Sequence, residues 1–170
     1  MDWSALGGAV TVRAYQPRDY DQIRTFRCTT PGQKFTRDPQ RVIRHAPDDI
    51  AVDPSDEAWI AVAEHPDDGI VGVIVYQAQP VGSHDPAIRP YVAALGVRIN
   101  YRRQGIATML KTAAMLDMAD RGIGGPTVSL VNRRNTAMLR LNETRFNAIV
   151  ERDLDDPNDD VITAAIEPVD

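Results

Sequence analysis

The sequence predicts an α/β (α+β) fold: a mixed, mostly antiparallel central sheet of six to seven strands flanked by about four helices. Three observations lead there. The stretches EAWIAVAE, HPDDG and IVGVIVYQAQ read as a β-hairpin rich in branched residues and closed by Asp68 and Gly69. YVAALGVRI, GIATMLKTAAMLDMADRG and PTVSLVN form a strand–helix–strand unit among the hairpins, so helices must lie on a mixed sheet. Finally, 170 residues with 43% hydrophobic and 25% charged content suffice for one packed domain and fall short of two. Residues 1–9 read as a flexible leader and residues 10–170 as that single domain.

The elements follow in order. VTVRAY is a first short strand. Pro17 and Asp19 supply start signals for a helix through about Thr29, with Tyr20, Ile23, Phe26 and Arg27 at helical spacing. A second helical piece spans roughly Asp38 to Ala46. After the hairpin, Pro80 to Pro90 reads as a loop. The long helix from Gly105 puts Ile106, Leu110, Ala113, Ala114 and Met118 on one face, and Gly122 stops it. Asn135 opens a further helix, NTAMLRLNETR. FNAIVERD and VITAAIE close the chain as strands around the acidic turn DLDDPNDD.

Charge and cysteine usage narrow the function. A formal net charge of −5 makes nucleic acid an unlikely partner and repels an anionic membrane surface. The single Cys28 excludes an intramolecular disulfide and a multi-cysteine metal site, fits a reducing compartment, and reads as a buried small hydrophobe. No signal peptide and no apolar run of about 18 residues is present, so a cytoplasmic protein is expected, monomeric or homodimeric.

INYRRQGIATML carries the chemistry. A helix start leaves its first backbone N–H groups unpaired and concentrates positive partial charge. Two arginines and a small-residue pair at that point suit an anion, because Gly105 and Ala107 leave room for a pyrophosphate while Arg102 and Arg103 add charge. Gly96, inside a branched strand, signals a bulge or a close backbone approach.

With its strand before it, and with VSLVN and the Asn135 helix after it, this stretch resembles the GNAT superfamily of acyl-CoA N-acyltransferases. Arg102, Gly105 and Ala107 fall on the family pattern (Arg or Gln)-x-x-Gly-x-(Gly or Ala). The resemblance implies a GNAT-type sheet with splayed fourth and fifth strands, and acetyl-CoA as co-substrate without a metal. Its cofactor-binding residues would be Leu95, Val97, Ile99, Arg102, Arg103, Gln104, Gly105, Ile106, Ala107, Thr108 and Asn135. The reaction implied moves an acetyl group directly to a primary amine of a small molecule, peptide or protein.

The Val97 N–H would then hold the thioester oxygen as it gains charge. The family's tyrosine acid falls on Asn142, which cannot titrate; it either bonds the sulfur or a water, or faces solvent. Tyr101 and Tyr76 are alternative acids. For the base the candidates are Glu64, Asp85 and His84, or water-mediated deprotonation. Lys34, Arg37, Arg41, Arg44 and Arg89 form a locally basic set, which suggests an acceptor with a negative group as well as an amine. Two other readings belong to the same resemblance: a toxin-type acetyltransferase acting on aminoacyl-tRNA through Arg133 and Arg134, and a non-catalytic CoA sensor.

Look-alike motifs are set aside. GIATMLKT lacks the second glycine of a P-loop, and Lys111 lies nearly two turns into the helix. Asp156, Asn158, Asp160 and Glu167 match calcium-loop positions, but Val161 stands where the turn needs glycine. No serine sits in G-x-S-x-G, and His45, His65 and His84 lack metal-ligand spacing.

Overall fold

A computed structural model of the chain describes residues 9–23, 25, 58–80, 87–152 and 159–164. Its strands are β1 (Thr11–Ala14), β2 (Ala58–His65), β3 (Gly69–Pro80), β4 (Ile88–Val97), β5 (Thr127–Asn132), β6 (Ile149–Arg152) and β7 (Asp159–Ala164). The α-helices are α1 (Tyr20–Ile23), α2 (Ile106–Asp120) and α3 (Thr136–Phe146). One sheet runs β1-β2-β3-β4-β5-β7-β6, antiparallel at every pairing except β4 against β5.

Period-two alternation divides the core between the two faces of the sheet. Ala61, Ala63, Ile74 and Tyr76 point to the side covered by α2, where they meet Ile106, Leu110, Ala113, Ala114 and Met118. Ile60, Val62, Val73 and Val75 point to the opposite side, closed by Tyr15 and Ile23. The apolar stripe expected on the long helix is therefore its buried face. At Gly72 a Cβ would lie 2.9 Å from Leu110 Cδ1 and 3.0 Å from Ile106 Cγ2, so the missing side chain lets α2 sit directly on β3. α2 stops as expected: Gly122 N–H donates to Ala119 C=O and Ile123 N–H to Met118 C=O, both at 2.9 Å, the Schellman pattern. α3 packs beside α2 through Met115 and Phe146.

Several boundaries differ from expectation. The first helix is short: a 3-10 turn at Pro17–Asp19 leads into α1, and Thr25 already lies in a turn. Residues 26–29, the helical piece at 38–46, Cys28 and the basic set at 34–44 lie outside the described residues, as do His45, His84, Asp85 and the leader up to residue 8. The proline loop is shorter than expected, because Pro80 pairs opposite Ile88 and β4 includes Pro90. β7 starts at Asp159, two residues before the expected strand and across Val161, the would-be calcium-loop turn.

Of the two readings of Gly96, a bulge or a close backbone approach, the bulge is at Ala93 instead. Val75 faces Ala94 and Tyr76 faces Val92, which leaves Ala93 unpaired, whereas Gly96 sits in register opposite Val73. A bulge bends and twists its strand. β4 bonds β5 only at Tyr91–Val128 and Val92–Ser129, immediately before the bulge, and the two strands then part. An extra residue in β4, rather than a small one, accompanies the splay.

Candidate active site

The gap between β4 and β5 is lined by residues 92–95 of β4 and 129–132 of β5, with Lys111 from α2 and Asn135, Met138 and Asn142 from the α3 side. The backbone of β4 offers its free groups to this gap. Arg98 N–H donates to Val71 C=O at 2.8 Å, so Val71–Arg98 is a hydrogen-bonded pair. Antiparallel alternation makes Gly72–Val97 and Ile74–Leu95 the intervening non-bonded pairs, whose N–H and C=O groups point away from β3. Those groups of Leu95 and Val97 consequently face the side from which β5 has withdrawn.

At one end of the gap stands the start of α2. Ile99–Tyr101 forms a 3-10 turn, and Arg103 (φ 65°) and Gly105 (φ 82°) are both left-handed. For Arg103 this conformation costs on the order of 1–2 kcal/mol. Gly105 is the N-cap of α2 and supplies no side-chain acceptor to the first N–H groups of the helix. A Cβ built on it meets nothing within 4 Å, so the space above the helix end is open. The turn is held from below: Arg98 Nη1 donates to Asp68 C=O at 3.0 Å, and the Tyr101 hydroxyl donates to the Asp68 carboxylate.

At the other side of the gap lies a polar pair. Asn142 is 1% exposed; its Nδ2 donates to Met138 C=O at 2.8 Å, and its Oδ1 accepts from Lys111 Nζ. With both ends engaged, the amide has one orientation. Lys111 is itself buried, and desolvation lowers its pKa from 10.5 to about 8. Asn135 caps α3, its Oδ1 accepting from Met138 N–H at 3.3 Å.

Of the residues expected to bind the cofactor, Leu95 and Asn135 line the gap, the backbone of Val97 faces the same side as that of Leu95, and Ile99 and the segment Arg102 to Thr108 form the turn and the start of α2 that follow β4. Asn142 faces the gap rather than solvent. Glu64 does not belong to this group: it sits on β2, where Arg13 Nε donates to it at 2.6 Å, and that guanidinium holds its carboxyl below the usual range. Glu64 is therefore not placed to act as a base at the gap. Tyr76 and Tyr101 are equally engaged elsewhere, Tyr76 donating to Asp117 at 2.8 Å and Tyr101 to Asp68. The P-loop look-alike says nothing of the burial of Lys111. A signal existed, since position 111 precedes Ala114 by three and Met118 by seven and so falls on the apolar stripe. Among the described residues no cluster of three or more His, Cys, Asp or Glu could hold a metal, and no helix is long and apolar enough to cross a membrane.

The unit β4–α2–β5 is thus a parallel strand–helix–strand crossover, open beside a glycine-capped helix start. The chain belongs to the GNAT acetyltransferase family, whose model matches residues 20–146. It is an N-acetyltransferase by that membership. No curated protein matches the chain. Among solved structures it is similar to a putative acetyltransferase of the GNAT family from Desulfovibrio desulfuricans, with TM-score 0.69 and 18% identity over 94% of this chain and 99% of that one. It is also similar to the PaiA N-acetyltransferase of Thermoplasma acidophilum in complex with coenzyme A, with TM-score 0.69 and 16% identity over 94% and 100%. A third is Arabidopsis thaliana NAA60 in complex with a bisubstrate analogue, with TM-score 0.63 and 14% identity over 92% and 97%. At these identities the likeness is one of fold.

Proposed function

We propose that this protein moves an acetyl group directly from acetyl-CoA to a primary amine, with the gap between β4 and β5 as the cofactor cleft. The observation that carries the reading is the run of unpaired backbone groups on Leu95 and Val97, continuous with the open N-terminus of α2. In this reading the N–H groups from Gln104 to Thr108, with Arg102 and Arg103, hold the pyrophosphate. The pantetheine arm pairs with β4 as an added strand would, past Ile99 and Val97 to Leu95, with Asn135 bordering its far side. The Val97 N–H meets the thioester oxygen, where a fixed donor stabilises the charge that develops on attack. The coenzyme-bound neighbours support acetyl-CoA as the donor. With Glu64 paired to Arg13, the proton of the acceptor ammonium leaves through water in this account.

The acceptor is an amine that also bears a negative group, a reading supported by the basic set Lys34, Arg37, Arg41, Arg44 and Arg89 in the sequence of an otherwise acidic chain. Following thiol release from acetyl-CoA against a panel of amines tests both parts. Amino-acid and peptide acceptors are expected to outcompete polycationic aminoglycosides. Preference for the polycations would overturn the acceptor class, and coenzyme binding without transfer to any amine would favour a sensor over an enzyme.

A further inference from the structure

Lys111 is 3% exposed and lies where α2, α3 and the widening gap meet. Its ammonium donates to Asn142 Oδ1 and stands 4.7 Å from the centre of the Phe146 ring. Among the described residues that line the gap, Lys111 is the one charged side chain. From α3 it faces an amide and an aromatic ring; residues 92–95 and 129–132 facing the same gap carry no charge. On α2, Asp117 is engaged by the Tyr76 hydroxyl and by Arg121, each at 2.8 Å. Among the described residues no carboxylate reaches Lys111 within ion-pair distance.

A buried ammonium without a counter-anion is costly, and packing alone would favour an apolar side chain of the same length. The Asn142 amide orients the cation, and among the described residues nothing compensates its charge. Such a group suits a site that an anion enters or forms in during turnover. In acetyl transfer the anion that forms inside the cleft is the thiolate of coenzyme A.

We propose that Lys111 donates the proton that converts the departing coenzyme A thiolate to the thiol, with Asn142 as the positioning residue that aims it. The proposal rests on the acetyl-transfer reading above. The acceptor amine forms the new C–N bond with its lone pair and sheds a proton to water. As the acyl C–S bond breaks, its electron pair goes to sulfur. One proton of the Lys111 ammonium moves to that sulfur, giving free coenzyme A and a neutral Lys111 amine, which recovers a proton from water. Burial lowers the Lys111 pKa from 10.5 to about 8, which makes its ammonium a readier proton donor to a departing thiolate than a solvated lysine would be.

Coenzyme A itself is the probe, so no acceptor is needed. The thiolate absorbance of coenzyme A bound to the wild type and to Lys111→Met is followed against pH, and acetyl-CoA affinity is measured on the same preparations. On the wild type the bound thiol is expected to ionise about one pH unit or more below its value on Lys111→Met, roughly tenfold in acidity. Asn142→Ala should move it part of the way, and acetyl-CoA, which has no thiol, should bind wild type and Lys111→Met alike. Equal thiol titrations on wild type and Lys111→Met would overturn the proposal while leaving acetyl-CoA binding intact. Failure of the wild type to bind either form would overturn the acetyl-transfer reading and this proposal with it. If Lys111→Met does not fold, the wild type decides alone, since a bound thiol titrating with free coenzyme A would overturn the role. Recovery of an acetyl group on Lys111 by mass spectrometry would overturn it too, making the residue an acceptor.

Discussion

Arg13 and Lys111 are both largely removed from water, and their surroundings are opposite. Arg13 bonds Asp19 through Nη1 at 2.7 Å and Nη2 at 2.9 Å and Glu64 through Nε at 2.6 Å, and these carboxylates push its pKa up. Asp19 is 1% exposed and also accepts from Gln16 N–H at 2.8 Å, so Asp19→Ala leaves a partly buried cation and is expected to cost about 3 kcal/mol in a denaturant melt. Glu64 titrates below its ordinary 4.5 in the folded chain, so its contribution is present above that value and lost as pH falls through the folded pKa. Half-exposed, it contributes about 1 kcal/mol or less, and Glu64→Gln should flatten the acid limb of a melting-temperature profile only slightly. Lys111 has the opposite sign: its folded pKa of about 8 lies below 10.5, the unfolded chain binds that proton more tightly, and stability rises with pH between the two values. Lys111→Met should therefore melt above the wild type at pH 7, with the difference shrinking toward pH 10. Neither environment was legible in the sequence. Glu64 ends a strand and so resembled a base, but its partner is set by the pairing of β1 with β2, which no local pattern reveals.

At the scale of elements, strands, helices and caps were largely legible, because alternation, the apolar stripe and the Asn135 and Gly122 signals are local. Asn135→Ala removes the α3 cap and should cost about 1 kcal/mol, a drop of roughly 2–4 °C in melting temperature. Gly72 reports a contact between elements: Gly72→Val would drive a branched side chain into Leu110 and Ile106 and should destabilise by about 1–3 kcal/mol or displace α2. Gly96, a small residue in a branched strand, is a local cue to a bulge or a close backbone approach, whereas the bulge at Ala93 arises where β4 changes partners. The Val97 N–H points away from β3, so Val97→Pro leaves the β3 ladder intact. It should melt within a few degrees of the wild type while binding acetyl-CoA about tenfold more weakly; unchanged affinity would remove Val97 from the cofactor path.

For the whole molecule, the order of elements and a six-residue pattern set between a strand and a helix were enough to indicate the family, and the match over residues 20–146 shows it. What the chain order could not supply was the inside of the cleft, where Lys111 and Asn142 meet from two helices 31 positions apart in the sequence. A net charge of −5 leaves coenzyme A, a strongly anionic ligand, dependent on a local site. In the proposed reading that site is the start of α2, and Gly105 is its most exposed test. Calorimetric titration of acetyl-CoA into the wild type and into Gly105→Glu, with a melt to establish that the variant is folded, addresses the central claim. The account predicts micromolar-range binding by the wild type and none by a folded Gly105→Glu, whose carboxylate would occupy the open space above the helix end. Equal binding by both proteins would contradict it, because the pyrophosphate would then lie elsewhere.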